Sequence, residues 1–288
     1  MSSWAEELRE LESRGVDGKP IINVDGLRRK YLKQLNNLTG RNVIAYYSGY
    51  LTFFSERSNI DDNDVNGFMN AIYKLDKSKG LDLVLHTPGG TISSACAIVS
   101  YLKSIFGNNI RCIVPQVAMS AGTMIACSCK EIVMGKHSSI GPIDPQFGPI
   151  STGDVIEEMA KAKKEMAESP GTIPFWNALI AKYPPAFIGT CEKAVRFSVE
   201  NVECWLVDNM FKDCENGRER AKKLVSELSD HTKTRQHDKH ISADEAKRLG
   251  LTIYKLEDNS ALQDAVLSVH HSYMLTFTGW LIDGPCRL

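Results

Sequence analysis

The chain of 288 residues is 43% hydrophobic and carries 34 Lys and Arg against 35 Asp and Glu, a formal net charge of −1. This length suits one large domain or two small ones with a substantial core, and the charge balance argues against a nucleic-acid or anionic-membrane partner, which needs a basic excess. No apolar run approaches the roughly 20 residues that span a bilayer, and the N-terminal "MSSWAEELRELESRG" lacks the basic and apolar regions of a signal peptide, so a soluble, cytoplasmic protein is expected.

In chain order, residues 3–13 read as a charged amphipathic helix. A second helix starts near Asp25, a plausible N-cap, and ends at Gly40. "NVIAYYS" (42–48) is a β-rich run and predicts a strand. "DDNDVNGFMNAIYKL" opens with acidic caps and continues with helical periodicity. A simple unit then repeats. "LDLVLH" (81–86) is a strand of the fully buried type, "TPGG" breaks it, and "TISSACAIVSYLKSIF" is helical. "IRCIVPQ" (110–116) is the next strand, followed by a turn at Ser120, a short helix from Ala121 and a third strand, "EIVMG" (131–135). This alternation means βαβ units in a parallel sheet with right-handed crossovers. After the Pro/Gly-rich "HSSIGPIDPQFGPI" the chain is almost all helix, near 154–168, 172–182, 186–210, 217–229, 242–249 and 260–276. Ser242 to Glu245 is a capping box and Gly250 closes that helix. The fold class is α/β, with residues 1–40 as an N-terminal helical extension and 41–288 as the main domain.

Eight cysteines are scattered, several inside apolar runs, and "CSC" at Cys127–Cys129 lacks C-x-x-C spacing. Reduced, mostly buried thiols are expected. His237 and His240 stand three apart without an obvious third ligand, so a polar loop is the better reading than a metal site. No metal or cofactor is implied.

Two turns carry chemistry. "HTPGG" (86–90) follows one parallel strand and "AMSAG" (118–122) follows the next. Sites in open α/β sheets form outside the carboxyl ends of the strands, so both turns should lie side by side at one edge. Acyl transfer needs a nucleophile and donors for an oxyanion. Ser120 suits the first role. Glycines let backbone N–H groups approach a substrate closely, so Gly89 and Gly90 offer one donor. The Ala121 N–H, at a helix N-terminus, offers the other.

"LHTPGG", "AMSAGTMIA" and "HSSIGPIDPQ" together resemble the serine dehydrogenase proteinase family, which shares the ClpP/crotonase fold with signal peptide peptidase A and the NfeD-partner proteases. The similarity runs from "TGRNVIAYYSG" (39–49) to "LQDAVLSVHHSYMLTF" (262–277), and "ISADEAKRLGL" resembles a segment that follows the active-site core in signal peptide peptidases. The resemblance implies a serine peptidase with Ser120 as nucleophile and Gly90 or Gly89 with Ala121 as oxyanion hole. It also implies an extended peptide or unfolded protein segment pairing along Gly89–Thr91, and a homo-oligomer.

The base stays open. Clp-type enzymes place a histidine about 25 residues after the serine, where this chain has "PIDPQ" and Asp144; His137 comes too early. Related lysine-dependent enzymes place the base about 40 residues on, and 41 after Ser120 is Lys161. Helical phase favours Lys163, which flanks the apolar stripe of Val155, Met159, Ala162 and Met166, whereas Glu157 and Lys161 read as an ordinary i,i+4 surface pair. Lys193 faces away from its own stripe of Cys191, Ala194, Ser198 and Trp205. His86 ends a buried strand and reads as a satisfied core histidine, and Asp144 as part of a rigid loop bordering the site. Trp176, Trp205 and Trp280 are expected in core or interface. Two rivals follow: a retired enzyme that keeps the fold as a scaffold or binding protein, and crotonase-type acyl-CoA chemistry, which needs no serine nucleophile.

Overall fold

The computed structural model describes residues 12–14, 20–22, 24–52, 56–148, 150–229 and 239–277. Glu12–Arg14 (β1) pairs antiparallel with Pro20–Ile22 (β2). Helix α1 (Val24–Thr39) leads into β3 (Asn42–Tyr47), α2 (Asp64–Ile72), β4 (Leu81–His86), α3 (Ile92–Phe106) and β5 (Ile110–Val114). The short β6 (Val117–Ala118) precedes α4 (Ala121–Cys127), β7 (Glu131–Met134) and β8 (Ser139–Ile140). A hairpin of β9 (Gln146–Phe147) and β10 (Ile150–Ser151) opens α5 (Thr152–Glu168), followed by α6 (Ile173–Ile180), α7 (Phe187–Trp205) and α8 (Gly217–Ser229). The chain closes with β11 (Ile241–Ser242), α9 (Ala243–Leu249), β12 (Ile253–Lys255) and α10 (Ser260–Phe277).

The central sheet is wholly parallel, in the order β12–β7–β5–β4–β3. All six residues of β4 are buried, as expected of a strand covered on both faces. Alternation along the strands sorts the core into two layers. Val84, Ile113 and Val133 face α1 and α10, where they meet Leu27, Tyr31, Leu35, Val266 and Val269. Leu83, Leu85, Cys112, Val114, Ile132 and Met134 face the opposite layer, with residues of α3, α4, α7 and α8. The expected helix at α1 forms because Val24, Leu27, Tyr31 and Leu35 repeat at i, i+3, i+7 and i+11 and are all buried.

At the amino end of the sheet, the buried Asp82 joins three strands. It accepts from Arg41 Nε at 2.6 Å, and from Arg111 Nε at 2.9 Å and Nη2 at 2.7 Å. A buried carboxylate is tolerated when its charge and lone pairs are both satisfied, as here.

Three expectations need correction. The helix expected at 3–13 is a strand at its end, since Glu12 and Ser13 pair with Ile22 and Ile21; residues 1–11 lie outside the described residues. Pairing with a partner overrides a weak local helical pattern. Helix α7 stops at Trp205, and Leu206–Met210 continues as a π-turn. Asn209 within it is buried, and its Nδ2 donates to the Ser128 carbonyl at 2.9 Å. The sheet also has a fifth strand, β12, and a second small sheet in the order β11–β8–β6, neither of which the sequence pattern announced. That small sheet sits at the carboxyl end of the large one, where Thr87 bridges Ala118.

Candidate active site

The two glycine-bearing turns do lie side by side. Thr87 N–H donates to the Val117 carbonyl at 3.1 Å and Met119 N–H donates to the Thr87 carbonyl at 3.0 Å. A Cβ placed on Gly89 would lie 2.8 Å from Ser120 Cβ and 2.9 Å from the Met119 oxygen, and one on Gly122 would lie 2.5 Å from Thr87 Cγ2. Both glycines are therefore required for the turns to touch.

Gly90 is held from the other side. Ile60 N–H donates to the Gly89 carbonyl at 2.8 Å, and Thr91 N–H donates to the Ile60 carbonyl at 3.0 Å. In extended backbone successive peptide groups face opposite ways, so the N–H and C=O of Gly90 itself point away from Ile60. Gly90 lines a cleft of about 830 Å³ that Ser120 also lines. The Gly89 N–H is already spent on Thr87 Oγ1 at 3.1 Å. Among the described residues, no hydrogen bond engages the N–H of Gly90 or of Ala121.

Ser120 has φ 51° and ψ −117°. It is one of three non-glycine residues with positive φ among the described residues. Such a conformation costs about 1–3 kcal/mol and persists only where the surroundings enforce it. Here they do. The Ser120 carbonyl accepts from Met124 N–H at 3.1 Å, Gly122 N–H donates to the Met119 carbonyl at 2.7 Å, and Thr123 Oγ1 donates to the Ala118 carbonyl at 2.8 Å. Thr123 Oγ1 also accepts from Gly141 N–H at 2.9 Å, which ties the turn to the loop after β8. Although Ser120 stands at the N-cap position of α4, its side chain makes no capping bond. Its hydroxyl is left to the cleft.

The ionisable candidates lie elsewhere. Lys161 is exposed on α5, with its ammonium 3.9 Å from Glu165. Glu165, not Glu157, is thus its i,i+4 partner, and Glu165 Oε2 also accepts from Trp176 Nε1 at 3.1 Å. The expected stripe is present, with Val155 and Ala162 buried, and Lys163 is exposed beside it. Neither lysine lines the cleft. Lys193 and His137 are exposed. His86 is fully buried, as a core histidine should be. Its Nδ1 is 3.2 Å from the Ser48 carbonyl, its Nε2 is 3.1 Å from Gln116 Oε1, and its ring stacks on Tyr47. Burial holds His86 below the ordinary imidazole range and pushes the neighbouring His270 down to about 3. Asp144 is buried between Ile143 and Pro145, both of which line the cleft. Trp176 is buried and Trp205 packs against the core; Trp280 and His237 lie outside the described residues, and His240 Nδ1 sits 2.6 Å from Ser139 Oγ.

Half of the far wall is the loop that the sequence placed at the border of the site; the half on α7 it did not single out. The wall comes from Pro145–Gly148 around β9 and from Ala194 and Phe197 on α7. Phe197 gave one unused signal: it is a large apolar residue off the buried stripe of its helix, and it is 46% exposed.

Two uncharacterized proteins of Methanocaldococcus jannaschii are similar to this chain. One is 33% identical over 230 residues, covering 78% of this chain and 73% of its own; the other is 26% identical over 232 residues, covering 78% and 71%. A mutant of the 1510-N membrane-bound stomatin-specific protease aligns in structure with a TM-score of 0.43 at 16% identity, over 77% of this chain and 82% of that one. Among the described residues, no helix is long and apolar enough to cross a membrane. The family described as ClpP-like SDH-type serine proteinase matches residues 25–257, most of the sequence, and the chain belongs to that family.

Proposed function

We propose that this protein is a serine peptidase that cleaves peptides or unfolded protein segments through an acyl-enzyme. The observation that carries this reading is the Ser120 turn. A strained serine with an uncommitted hydroxyl lines one cleft with Gly90, whose backbone N–H is uncommitted, and is followed in the chain by the uncommitted N–H of Ala121. In this reading Ser120 Oγ attacks the scissile carbonyl while its proton passes to a base. The carbonyl oxygen becomes an oxyanion, stabilised by the N–H groups of Gly90 and Ala121. Collapse expels the amine, which takes up that proton, and water then releases the acyl group by the same steps. Gly89 shapes the turn; Gly90 is the donor.

The base is a lysine of α5, with Lys161 first by its spacing from Ser120. Its ammonium now faces solvent and Glu165. To serve, it must be carried to the cleft and desolvated, which lowers an amine's proton affinity. Assembly into a homo-oligomer is the step assigned to that burial, so activity should follow assembly. The test is labelling by an alkyl fluorophosphonate. The wild-type oligomer should label at Ser120, and Ser120→Ala should remain folded without labelling or turnover. A folded, assembled wild type that does not label would refute the reading. It would favour a retired scaffold, a reading supported by the fact that no described side chain lining the cleft is titratable in the neutral range.

A further inference from the structure

His86 sits where three chain segments meet. It ends β4 and is followed directly by the glycine turn. Its carbonyl accepts from Ser48 N–H at 2.9 Å. Its ring reaches in two directions. Nδ1, 3.2 Å from the Ser48 carbonyl, faces the end of β3, and Nε2, 3.1 Å from Gln116 Oε1, faces the segment that leads to Ser120. Ser48 passes the contact on. Its hydroxyl donates to the Ser58 carbonyl at 2.7 Å, two residues before the Ile60 that holds Gly89 and Thr91. Gln116 stands four residues before Ser120, and its carbonyl accepts from Ser139 N–H at 2.8 Å.

The chemistry of the two partners fixes the state of the ring. Ser48 offers a main-chain oxygen, which can only accept, so Nδ1 carries a proton. The titratable groups against the ring are Tyr47, Tyr50 and His270. None is a carboxylate and the ring is buried, so nothing there compensates a second proton. Nε2 is then a bare acceptor. Gln116 meets it with the NH2 of its amide, since a half-turn about the terminal bond exchanges oxygen and nitrogen.

We infer that His86 is a positioning residue for the serine turn: as the Nδ1–H tautomer it donates to Ser48 and accepts from the Gln116 amide, and so sets the separation between the Gly90 N–H and Ser120. The inference rests on the peptidase reading and adds to it a residue that does not line the cleft. Among the described residues, the main chains of the two turns bond only through Thr87, to Val117 and Met119. The ring of His86 supplies a second tie between them. On its Nδ1 side it reaches, through Ser48 and Ser58, the segment that grips the glycine turn. On its Nε2 side it reaches the segment that carries the nucleophile. An oxyanion donor and a nucleophile placed by different strands work only at a fixed separation, and one ring spans both supports.

The test compares the wild type with His86→Asn, Gln116→Leu and the double variant. Asparagine can still donate to Ser48 but is too short to reach Gln116. Gln116→Leu, at a half-buried position, removes the same contact from the other side and decides the matter if His86→Asn does not fold. Saturation kinetics of labelling by an alkyl fluorophosphonate give a maximal rate and a half-saturating concentration. Each single variant should lower the maximal rate about tenfold, because a misplacement of about 1 Å costs about a hundredfold and the tie at Thr87 limits the shift. Half-saturation should stay within about threefold of wild type. The double variant should be no slower than either single, since both remove one contact. Long-range proton–nitrogen correlation spectra of histidine-labelled protein read the tautomer, the His86 Nε2 signal being the one that Gln116→Leu shifts. At neutral pH they should show Nδ1 protonated and Nε2 bare. The opposite tautomer or an imidazolium would overturn the proposal. So would a maximal rate in Gln116→Leu within about threefold of a wild type that labels, or losses that multiply in the double variant. These outcomes refute the positioning role alone, whereas a wild type that does not label refutes the peptidase reading and the positioning role with it.

Discussion

Gly90→Ala is the sharpest perturbation of the proposed oxyanion hole. A Cβ at this position would lie 2.3 Å from both the nitrogen and the oxygen of Ile60, and 2.7 Å from its Cα. Ordinary contact begins near 3.4 Å, so the two backbones must part by about 1 Å. Neither is a flexible side-chain end. Ile60 is bonded to both Gly89 and Thr91, and Thr91 caps α3 by accepting from Ser94 N–H at 3.3 Å. Gly90 is therefore the part that moves, and its N–H moves with it. Losing one oxyanion donor costs about 3 kcal/mol of transition-state stabilisation, a factor of about 150 in rate. The overpacking should also destabilise the fold by about 1–3 kcal/mol. Steady-state kinetics on an ester substrate, the rate of fluorophosphonate labelling and a thermal unfolding curve read these effects separately. Gly67→Ala is the control. It lies in α2 with nothing within 4 Å of the added Cβ, and should leave kcat unchanged while stabilising slightly. A folded Gly90→Ala enzyme with kcat within threefold of wild type would refute the assignment of Gly90 as a donor.

Lys161→Met should lower kcat by about 10²-fold or more, the usual contribution of a general base, with the oligomer unchanged and Lys163→Met active; full activity in both variants would exclude a base from these two positions. Acid should destabilise the fold through His270. Its folded value of about 3 lies below the unfolded value near 6.5, so its contribution is complete above pH 6.5 and is lost as pH falls from there toward 3. At pH 5 the loss is about 2 kcal/mol, read as a drop in unfolding midpoint that shrinks in His270→Leu; an unchanged pH dependence in that variant would contradict this. Asp82→Ala should cost about 3–5 kcal/mol, because it leaves Arg41 and Arg111 without the carboxylate that joins them. Denaturant unfolding measures it, and a loss under 1 kcal/mol would show that the arginines find other partners.

The strands that could be read from sequence are those whose residues alone demand burial. "LDLVLH" and "IRCIV" place apolar residues on both faces, Leu83 and Leu85 opposite Val84, and Cys112 and Val114 opposite Ile113, as a covered parallel strand does. Strand β12, "IYK", is three residues long and carries an exposed tyrosine. Nothing local distinguishes it from a loop, and it becomes a strand because β7 offers it a free edge. The two-residue strands of the small sheet are still more dependent on their neighbours. The capping box at Ser242 was half legible. The serine hydroxyl accepts from Glu245 N–H at 3.3 Å as expected, but the Glu245 carboxylate turns instead to Lys239 at 2.8 Å, a residue outside the motif.

The candidate site divides along the same line. A turn is a local object, so the small residues around Ser120 and the glycines before α3 announced both turns and their order after successive strands. The choice between Gly89 and Gly90 is not local. It depends on Ile60, some thirty residues earlier, which occupies one edge of the glycine turn by bonding the Gly89 carbonyl and the Thr91 N–H. Thr87 bears on Gly89, because its Oγ1 accepts the Gly89 N–H. The base is less local still. Counting from Ser120 selects a position, whereas proton transfer requires a place and a dry environment. The phase of α5 directs Lys161 outward to Glu165. Spacing alone does not bring a side chain to the serine or exclude water from it. The element that would strip its water must come from a rearrangement of α5 or from another copy of the chain. On that argument, variants that break the proposed oligomer while sparing the cleft should abolish turnover even though Ser120, Gly90 and Ala121 remain in place.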